Sequence, residues 1–204
     1  MHCIRLTEEP DIQISFEYHG LPLEIDEHVF ETAFGAMKFD EVLQYVSFPA
    51  VKVIRTGRKS LSIPGNGQGR RDMEFFFKWL HMKGVRHIID VHVEDLEVPG
   101  HSDETISSLL EMFIVNKIDW QRLDLDPMTL IRMGMGGGSD RVQEVTPYWS
   151  GNNAVLRAWS EEEGLPMLSP NLAKICIHVP GPDEASQFLP PYVSSITDDR
   201  SAGA

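Results

Sequence analysis

Val115-Asn116-Lys117-Ile118 is an aliphatic residue followed by two polar residues and a second aliphatic residue, and the chain contains four such stretches. The first residues of successive stretches lie 30, 27 and 30 positions apart. Short runs with branched apolar residues at both ends are typical of buried strands. The other three stretches are Val85-Arg86-His87-Ile88, Val142-Gln143-Glu144-Val145 and Leu172-Ala173-Lys174-Ile175.

A helix is predicted before each of these strands. Residues 72–82 begin with Asp72 as a candidate cap, and residues 102–112 begin with Ser102, a residue type preferred at the N-cap. Residues 126–133 carry a proline in the first turn, and residues 152–163 stop before Gly164. The residues predicted to face the core are Phe75, Phe76, Trp79, Leu80, Ile106, Leu109, Leu110, Leu130, Val155, Leu156 and Trp159.

Helix–strand units of about 30 residues are typical of parallel strands joined by right-handed crossovers. The period is also close to that of leucine-rich repeats, at about 20–29 residues. That repeat is only approximated, as in Val115-x-x-Ile118-x-Trp120, and its asparagine ladder is missing. We therefore predict an α/β fold with a mainly parallel sheet, either irregular or an incomplete leucine-rich-repeat-like arc, and not a regular horseshoe. Four residues are expected on four strands of one sheet: Ile88, Ile118, Val145 and Ile175.

The N-terminal third has a mixed pattern. Ile12, Ile14 and Phe16 alternate with polar residues, which predicts a half-buried strand. A helix is predicted after Asp26, its candidate N-cap, with Val29, Phe30, Phe34, Met37 and Phe39 near helical spacing. Residues 42–54 are rich in strand formers, and Pro49 predicts an edge strand or two short strands. A mobile surface loop is predicted over residues 56–71.

Composition describes one globular domain. A chain of 204 residues with 42% hydrophobic and 24% charged residues is long enough for a single sizeable core. We predict one α/β domain over residues 1–179. Residues 180–204 form a Pro-rich, largely irregular C-terminal tail, apart from a short helix near residues 185–189.

Charge and cysteine use restrict the partners and the compartment. The formal net charge of -13 repels phosphate backbones and anionic lipids, so nucleic acid and membrane surfaces are not the expected partners. Cys3 and Cys176 match no metal-binding or redox spacing, and Cys176 is expected to be buried. No secretory signal and no run of 18 apolar residues occurs, so a cytoplasmic or nuclear location is expected.

Two glycine-rich stretches are candidates for binding loops. Gly65-Asn66-Gly67-Gln68-Gly69-Arg70-Arg71 precedes a helix, where free N–H groups can bind phosphate. Its third glycine comes one residue too early for GxGxxG, and no Gly-Lys-Ser/Thr follows. Gly134-Met135-Gly136-Gly137-Gly138-Ser139-Asp140 fits a connector whose glycines end a helix. No cofactor is expected from either stretch.

Several histidine and serine residues are candidates for catalytic or metal-binding groups. His87, His92 and His101 cluster around one strand, but five positions along a strand separate His87 from His92 onto opposite faces. His92 and Glu94 share a face without a third ligand, so a solvated polar face is favoured over a metal site. Ser150 is interpreted as a turn or capping residue, because no Gly-x-Ser-x-Gly elbow is present.

Three longer stretches carry a family resemblance. They are Asp26-Glu27-His28-Val29-Phe30-Glu31-Thr32-Ala33-Phe34 with Met37-Lys38-Phe39-Asp40-Glu41-Val42-Leu43-Gln44-Tyr45-Val46-Ser47-Phe48-Pro49, Gly69-Arg70-Arg71-Asp72-Met73-Glu74-Phe75-Phe76-Phe77-Lys78-Trp79-Leu80, and Trp149-Ser150-Gly151-Asn152-Asn153-Ala154-Val155-Leu156-Arg157-Ala158-Trp159-Ser160. Together they resemble the N-terminal accessory region of fungal intracellular proteins with a C-terminal subtilisin-like (S8) peptidase domain. The resemblance covers most of residues 12–179 and implies a regulatory or recognition region. No position here matches the catalytic residues of that peptidase domain.

These observations lead to one hypothesis and two alternatives. The hypothesis is a non-catalytic regulatory or protein-interaction domain with a protein partner, no catalytic residues, no cofactor and no metal. The first alternative is a serine-type endopeptidase-associated protein, or a hydrolase that uses an unrecognised site. The second is a phosphate- or nucleotide-binding module that uses the loop of residues 65–71.

Overall fold

The structure is a computed structural model that describes residues 12–54, 69–133, 142–168 and 172–181. The strands are β1 (Ile12–Gln13), β2 (Ser15–Glu17), β3 (Glu24–Asp26), β4 (Lys38–Phe39), β5 (Val42–Leu43), β6 (Tyr45–Phe48), β7 (Lys52–Ile54), β8 (His87–Val93), β9 (Ile114–Trp120), β10 (Glu144–Val145) and β11 (Lys174–Ile175). The helices are α1 (Glu27–Phe34), α2 (Asp72–Met82), α3 (Asp103–Leu110), α4 (Pro127–Met133) and α5 (Asn153–Ser160), followed by a 3-10 helix at Leu165–Leu168.

One seven-stranded parallel sheet dominates the fold. Its order is β2, β6, β8, β9, β10, β11, and β5 also pairs with β8. Two further parallel pairs are β1 with β4 and β3 with β7. Parallel neighbours require crossover connections, and α3 and α4 lie in those that join β8 to β9 and β9 to β10. The predicted α/β class and mainly parallel sheet are confirmed.

An unbroken row of apolar residues crosses the core side of the sheet. Its members are paired in register from strand to strand, and they are Phe16, Val46, Val91, Ile118, Val145 and Ile175. The first five are at most 4% exposed, whereas Ile175 is 43% exposed. The four residues predicted to share a sheet do so, but Ile175, on the outermost strand, is not packed like the others.

The structure corrects the frame of the first repeat. Ile88 pairs with Val115, and Val91 pairs with Ile118, so the first unit begins three residues later than Val85. Its buried residues, Ile88, Val91 and Val93, have the same spacing as those of the next unit, Val115, Ile118 and Trp120. Val85 is fully buried as well, which explains why it imitates the first position of the repeat.

Side-chain caps fix the start of three helices. Asp26 accepts hydrogen bonds from the His28 and Val29 amides, Ser102 from Thr105, and Asn152 from Ala154. The predicted N-caps Asp26 and Ser102 are therefore confirmed. Asp72 is instead the first residue of α2, which has no side-chain cap at Arg71, so the prediction of Asp72 as the cap is wrong. Helix α5 ends at Ser160, four residues before Gly164.

Aromatic rings fill the N-terminal end of the core. The Phe16 ring lies 5.4–6.4 Å from five other rings, measured between centroids. These rings belong to α1, β4, β6 and α2, and they are Phe30, Phe34, Phe39, Phe48 and Trp79. This end of the sheet is therefore closed by side chains from the N-terminal third.

Several N-terminal predictions need correction. Ile12 and Ile14 are 62% and 50% exposed, so only Phe16 of that set is buried. Met37 and Phe39 follow α1 and do not belong to it. Residues 42–54 form three strands, and β6 lies inside the sheet rather than at its edge. Pro49 directly follows β6, where its missing N–H removes no bond from the strand.

The end of the predicted mobile loop is anchored. Arg70 is 4% exposed, and its amide donates to the carbonyl of Gly100 at 2.9 Å. Residues 56–68, the connector of residues 134–140 and the tail from residue 182 lie outside the described residues, so the predictions made for them stay predictions. Among the described residues, no helix is long and apolar enough to cross a membrane.

Candidate interaction surface

Polar side chains form two rows on the sheet, between the core-facing residues. In the first row Asp90 pairs with Lys117, Lys117 with Glu144, and Glu144 with Lys174. In the second row Ser47 pairs with His92, and His92 with Asp119. Because adjacent strands lie about 4.8 Å apart, these groups are held at fixed spacing by the backbone. We call these seven residues the polar ladder.

Charge alternates along the first row. The Lys174 ammonium lies 2.6 Å from Glu144 Oε1, and the Lys117 ammonium lies 3.9 Å from Glu144 Oε2. The hydrogen bond from Lys174 lowers the pKa of Glu144 and raises that of Lys174. Both lysines therefore interact with the same carboxylate, that of Glu144.

Asp90 has no comparable partner. No hydrogen bond or ion pair joins its carboxylate to another group in the described part of the chain, although Lys117 is its register neighbour. Burial raises the pKa of Asp90, Lys117 opposes this, and the charges of Asp119 and Glu144 raise it further. A half-buried carboxylate without an ion pair costs stability, because burial penalises the charged form.

The second row contains a cluster centred on Asp119. Asp119 Oδ2 lies 3.4 Å from Nδ1 of His92, and Asp119 Oδ1 accepts a 2.9 Å hydrogen bond from the Tyr148 hydroxyl. The Tyr148 ring packs against the His178 ring, with centroids 4.7 Å apart and ring planes tilted by 40°. The other ring nitrogen of His92, Nε2, lies 3.3 Å from the Gln121 side-chain amide. His92, Asp119, Tyr148 and His178 come from four consecutive units of the repeat.

The Asp119 cluster shifts His92 towards its protonated form. Contact with the Asp119 carboxylate raises the pKa of His92, and burial partly opposes it. The nearby charges of Asp119, Glu94 and Asp90 raise the pKa further. With Asp90, Asp119, Glu144 and Glu94 against Lys117 and Lys174, this face carries more acidic than basic groups.

Ser47 brings a hydroxyl beside His92 in the register but does not present it to solvent. Ser47 is fully buried, and its Oγ lies 2.6 Å from Nε2 of His19. A serine nucleophile must be reached by the substrate and paired with a base that an acid orients. Asp119 contacts His92, but His92 lies against Gln121 and not against Ser47. The Ser47 hydroxyl is hydrogen-bonded to a different histidine, His19.

His101 belongs to a closed buried network. Its Nδ1 lies 2.8 Å from Asp95 Oδ1, and its Nε2 accepts a 3.2 Å bond from the Met73 amide. Asp95 Oδ2 accepts a 2.9 Å bond from Trp120 Nε1. His101 is 0% and Asp95 1% exposed, so both nitrogens of the ring are used inside the protein. This network holds the start of α2 against β9.

The histidine predictions are partly wrong. His87 bonds Asn116 at 2.5 Å, and His92 lies beside Asp119; both histidines lie outside the core-facing set of β8. The strict alternation that separated them fails because Ile88 and Val91, three positions apart, both face the core. No group of three His, Cys, Asp or Glu among the described residues is placed to hold a metal ion.

The remaining predicted site residues have structural contacts. The Ser150 hydroxyl and amide both donate to Asp124, which supports the interpretation of Ser150 as a turn residue. Arg70 donates from Nε to Asp72 at 3.0 Å and from Nη2 to the Val51 carbonyl at 2.7 Å. Its Nη1 is buried without a hydrogen bond among the described residues and lies 3.9 Å from Glu97 Oε2. Cys176 is half-buried, not buried as predicted, with its sulfur 3.9 Å from Glu144.

Sequence reasoning missed the polar ladder. The two central polar positions of each repeated stretch, such as Asn116 and Lys117, were used only to define the period. The correct register, Ile88 with Val115, was needed to place Asp90 beside Lys117 and His92 beside Asp119. A pattern search with three apolar positions instead of two would have found that register.

Comparisons with protein-family models, with curated proteins and with solved structures found no match to this chain.

Proposed function

We propose that this chain is a non-catalytic recognition domain that binds a protein partner on the polar ladder. The observation that carries the proposal is the carboxylate of Asp90, which is half-buried without an ion pair at the β8 end of a row of otherwise paired charges. A charged group kept at a cost in stability on an accessible sheet face is typical of a binding site.

The chemistry of the face favours a basic partner segment. Four acidic groups, Asp90, Asp119, Glu144 and Glu94, outnumber the two lysines, and the whole chain has a formal net charge of -13. Acidic surfaces attract Lys- and Arg-bearing partners and repel acidic ones, which affects both association rate and specificity. Tyr148 adds an aromatic ring of the kind enriched at protein interfaces.

The proposal takes up the resemblance to the accessory region of fungal subtilisin-like proteins, where a regulatory or recognition role is implied. The catalytic alternative has less support. Ser47, which is in register with His92, is buried. Ser102 caps α3, and the Ser150 amide donates to Asp124. The phosphate-binding alternative depends on residues 65–71, of which Arg70 already binds Asp72 and Val51.

The test is affinity capture from native extract with quantitative mass spectrometry, using wild-type protein, Asp90→Asn and Asp119→Asn. Glu104→Gln, an exposed change on α3, is the matched control of equal charge. We expect at least one protein that is retained by wild type and by the control and is lost with both ladder variants. A capture profile that is the same for all four proteins would contradict the proposal.

A further inference from the structure

An aromatic residue extends the first row of the polar ladder beyond Asp90. Val46 of β6 pairs with Val91 of β8. The residues that directly precede this pair, Tyr45 and Asp90, are therefore neighbours in the same register. Because successive residues of a strand face opposite sides of the sheet, both lie on the face opposite the apolar row. Both residues are half-buried, so part of each side chain is open to solvent.

Lys117, the neighbour of Asp90 on the other side, is engaged elsewhere. Its ammonium lies 3.9 Å from Glu144 Oε2, and no ion pair in the described part of the chain joins it to Asp90. Asp90 therefore lies between an aromatic residue and an ammonium group that binds a different carboxylate. Because like charges repel, a further cation that approaches Asp90 is directed away from Lys117 and towards Tyr45.

The register neighbour of Tyr45 on its other side is small and uncharged. Tyr45 pairs with Ser15 of β2, whose side chain is too short to extend over a tyrosine ring. The next residue on this face of β8 is His92, which lies 3.4 Å from the Asp119 carboxylate. The position between Tyr45 and Asp90 thus combines one carboxylate and one aromatic ring.

A carboxylate beside an aromatic ring suits a guanidinium group better than an ammonium group. A guanidinium is planar and can donate two parallel N–H bonds to a carboxylate. Its flat face can also stack on an aromatic ring, where the positive charge is attracted to the ring electrons. A lysine ammonium is a compact, strongly hydrated charge that cannot stack in this way. The pair therefore discriminates between the two basic side chains.

We propose that Asp90 and Tyr45 together bind an arginine side chain of the protein partner. The Asp90 carboxylate accepts the N–H bonds of the guanidinium, and the Tyr45 ring packs against its face. Lys117 restricts the arginine to the Tyr45 side of the carboxylate. This inference rests on the proposed function and adds to it the partner residue that is recognised and the aromatic residue that selects it.

Nuclear magnetic resonance titration of the full chain tests the proposal with two blocked pentapeptides, which carry a central arginine or a central lysine between alanines. We expect the arginine peptide to shift the Asp90 carboxyl and Tyr45 ring signals and to bind about two- to five-fold more tightly than the lysine peptide. Asp90→Asn should abolish these shifts, whereas Glu104→Gln, the control of equal charge change, should retain them. Tyr45→Leu should lose the preference for arginine, and Tyr45→Phe, which keeps an aromatic ring, should retain it.

Equal affinities of wild type for the two peptides would overturn the proposal, and so would a preference for arginine that survives Tyr45→Leu. Ring and carboxyl shifts that persist in the other signals of Asp90→Asn at unchanged affinity would place the cation elsewhere on the acidic face and would also overturn it. The amide spectrum of each variant shows that it is folded.

The capture experiment separates this inference from the proposed function. A partner that is lost with Asp90→Asn and Asp119→Asn but is fully retained by Tyr45→Leu would uphold the recognition role of the polar ladder and exclude the arginine site. Loss of the same partner with Tyr45→Leu, together with its recovery in Tyr45→Phe, is the result expected if the ring takes part.

Discussion

Asp95 and His101 form a hydrogen-bonded pair inside the protein, with Oδ1 of Asp95 2.8 Å from Nδ1 of His101. Since Nε2 of His101 accepts a bond from the Met73 amide, the ring is the neutral tautomer with its proton on Nδ1. The tautomer is inferred from these partners. Asp95 in turn accepts from Trp120 Nε1, so one carboxylate and one imidazole join the loop after β8 to α2 and β9.

His101→Ala should destabilise the fold by about 1–3 kcal/mol, because it removes the imidazole that donates to the buried Asp95 carboxylate and leaves the Met73 amide without its side-chain acceptor. Urea unfolding measures the change in free energy. Ser108→Ala, an exposed change on the neighbouring helix α3, serves as the control and should stay within about 0.5 kcal/mol of wild type. A similar result for both variants would contradict the structural role of the pair.

Gly69→Ala should destabilise the protein by on the order of 1–3 kcal/mol, since Gly69 has a φ of +54°. A Cβ there would also lie 2.6 Å from the Gly100 carbonyl oxygen. Gly181→Ala is the comparison, because a Cβ at Gly181 meets nothing within 4 Å. Thermal unfolding of both variants checks this. An unchanged melting temperature for Gly69→Ala would show that the end of the glycine-rich loop is not anchored as described.

Ile118→Ala tests the apolar row at its centre. Ile118 is 2% exposed and pairs in register with Val91 and Val145, so its truncation leaves a cavity that costs about 2–5 kcal/mol. Val29→Ala removes two methyl groups from a residue that is 57% exposed and should cost less than about 0.5 kcal/mol. Denaturant midpoints compare the two, and equal midpoints would be inconsistent with the described packing.

Particular residues show which features of the fold could be predicted from the sequence. Asp26 and Ser102 were predicted as N-caps because a cap is a local interaction, satisfied by amides two or three positions away. The α/β class was predicted from the spacing of the repeated stretches, which can be measured directly along the sequence. The sequence placed the start of the first repeat at Val85 because Val85, which precedes β8, is as apolar and as buried as the core residues within the strand. Only the pairing of β8 with β9 shows that this repeat begins at Ile88.

The long-range contacts could not be predicted in the same way. Arg70 was interpreted as part of a surface loop because Gly-, Lys- and Arg-rich segments usually are exposed, yet its partners Val51 and Gly100 lie far along the chain. The polar ladder could not be predicted for the same reason, because only the register of β8 and β9 places Asp90 beside Lys117. Apart from the repeat period, no local signal marks such pairs.

The pH dependence of stability should report the His92–Asp119 contact. The pKa of His92 is raised in the folded state, so its contribution to stability is fully present below the unfolded pKa of about 6.5 and is lost as pH rises through the folded pKa. The free energy of unfolding of wild type relative to His92→Gln should therefore be largest below about pH 6.5 and fall as the pH rises above it.

Because the His92 side chain is partly exposed, we expect a change below about 1 kcal/mol. Asp119→Asn should remove most of it, since the main cause of the raised pKa is then absent. Urea titrations of the three proteins across this range supply the measurement. A wild-type minus His92→Gln difference that is constant with pH would rule out this account of the cluster.

The purified chain should hydrolyse no peptide or ester bond. A triad needs an accessible nucleophile, a base within hydrogen-bond reach and an orienting acid, and in subtilisin the loss of the nucleophile or base alone costs about six orders of magnitude in rate. Three serine hydroxyls have been considered as the nucleophile. The Ser47 hydroxyl is buried against His19, Ser102 caps α3, and Ser150 donates to Asp124.

A fluorogenic peptide panel and a fluorophosphonate probe test this prediction, with Ser47→Ala, Ser102→Ala and Ser150→Ala as matched variants. We expect turnover equal to that of buffer and no labelling of wild type, because no described serine combines exposure with a histidine base. Each variant should give the same blank result while remaining folded by circular dichroism. Stoichiometric labelling of wild type that is lost in one variant would identify that serine as a nucleophile and establish the hydrolase alternative. For Ser47 the base would be His19, which its hydroxyl contacts, and a His19→Gln variant would then lose labelling as well.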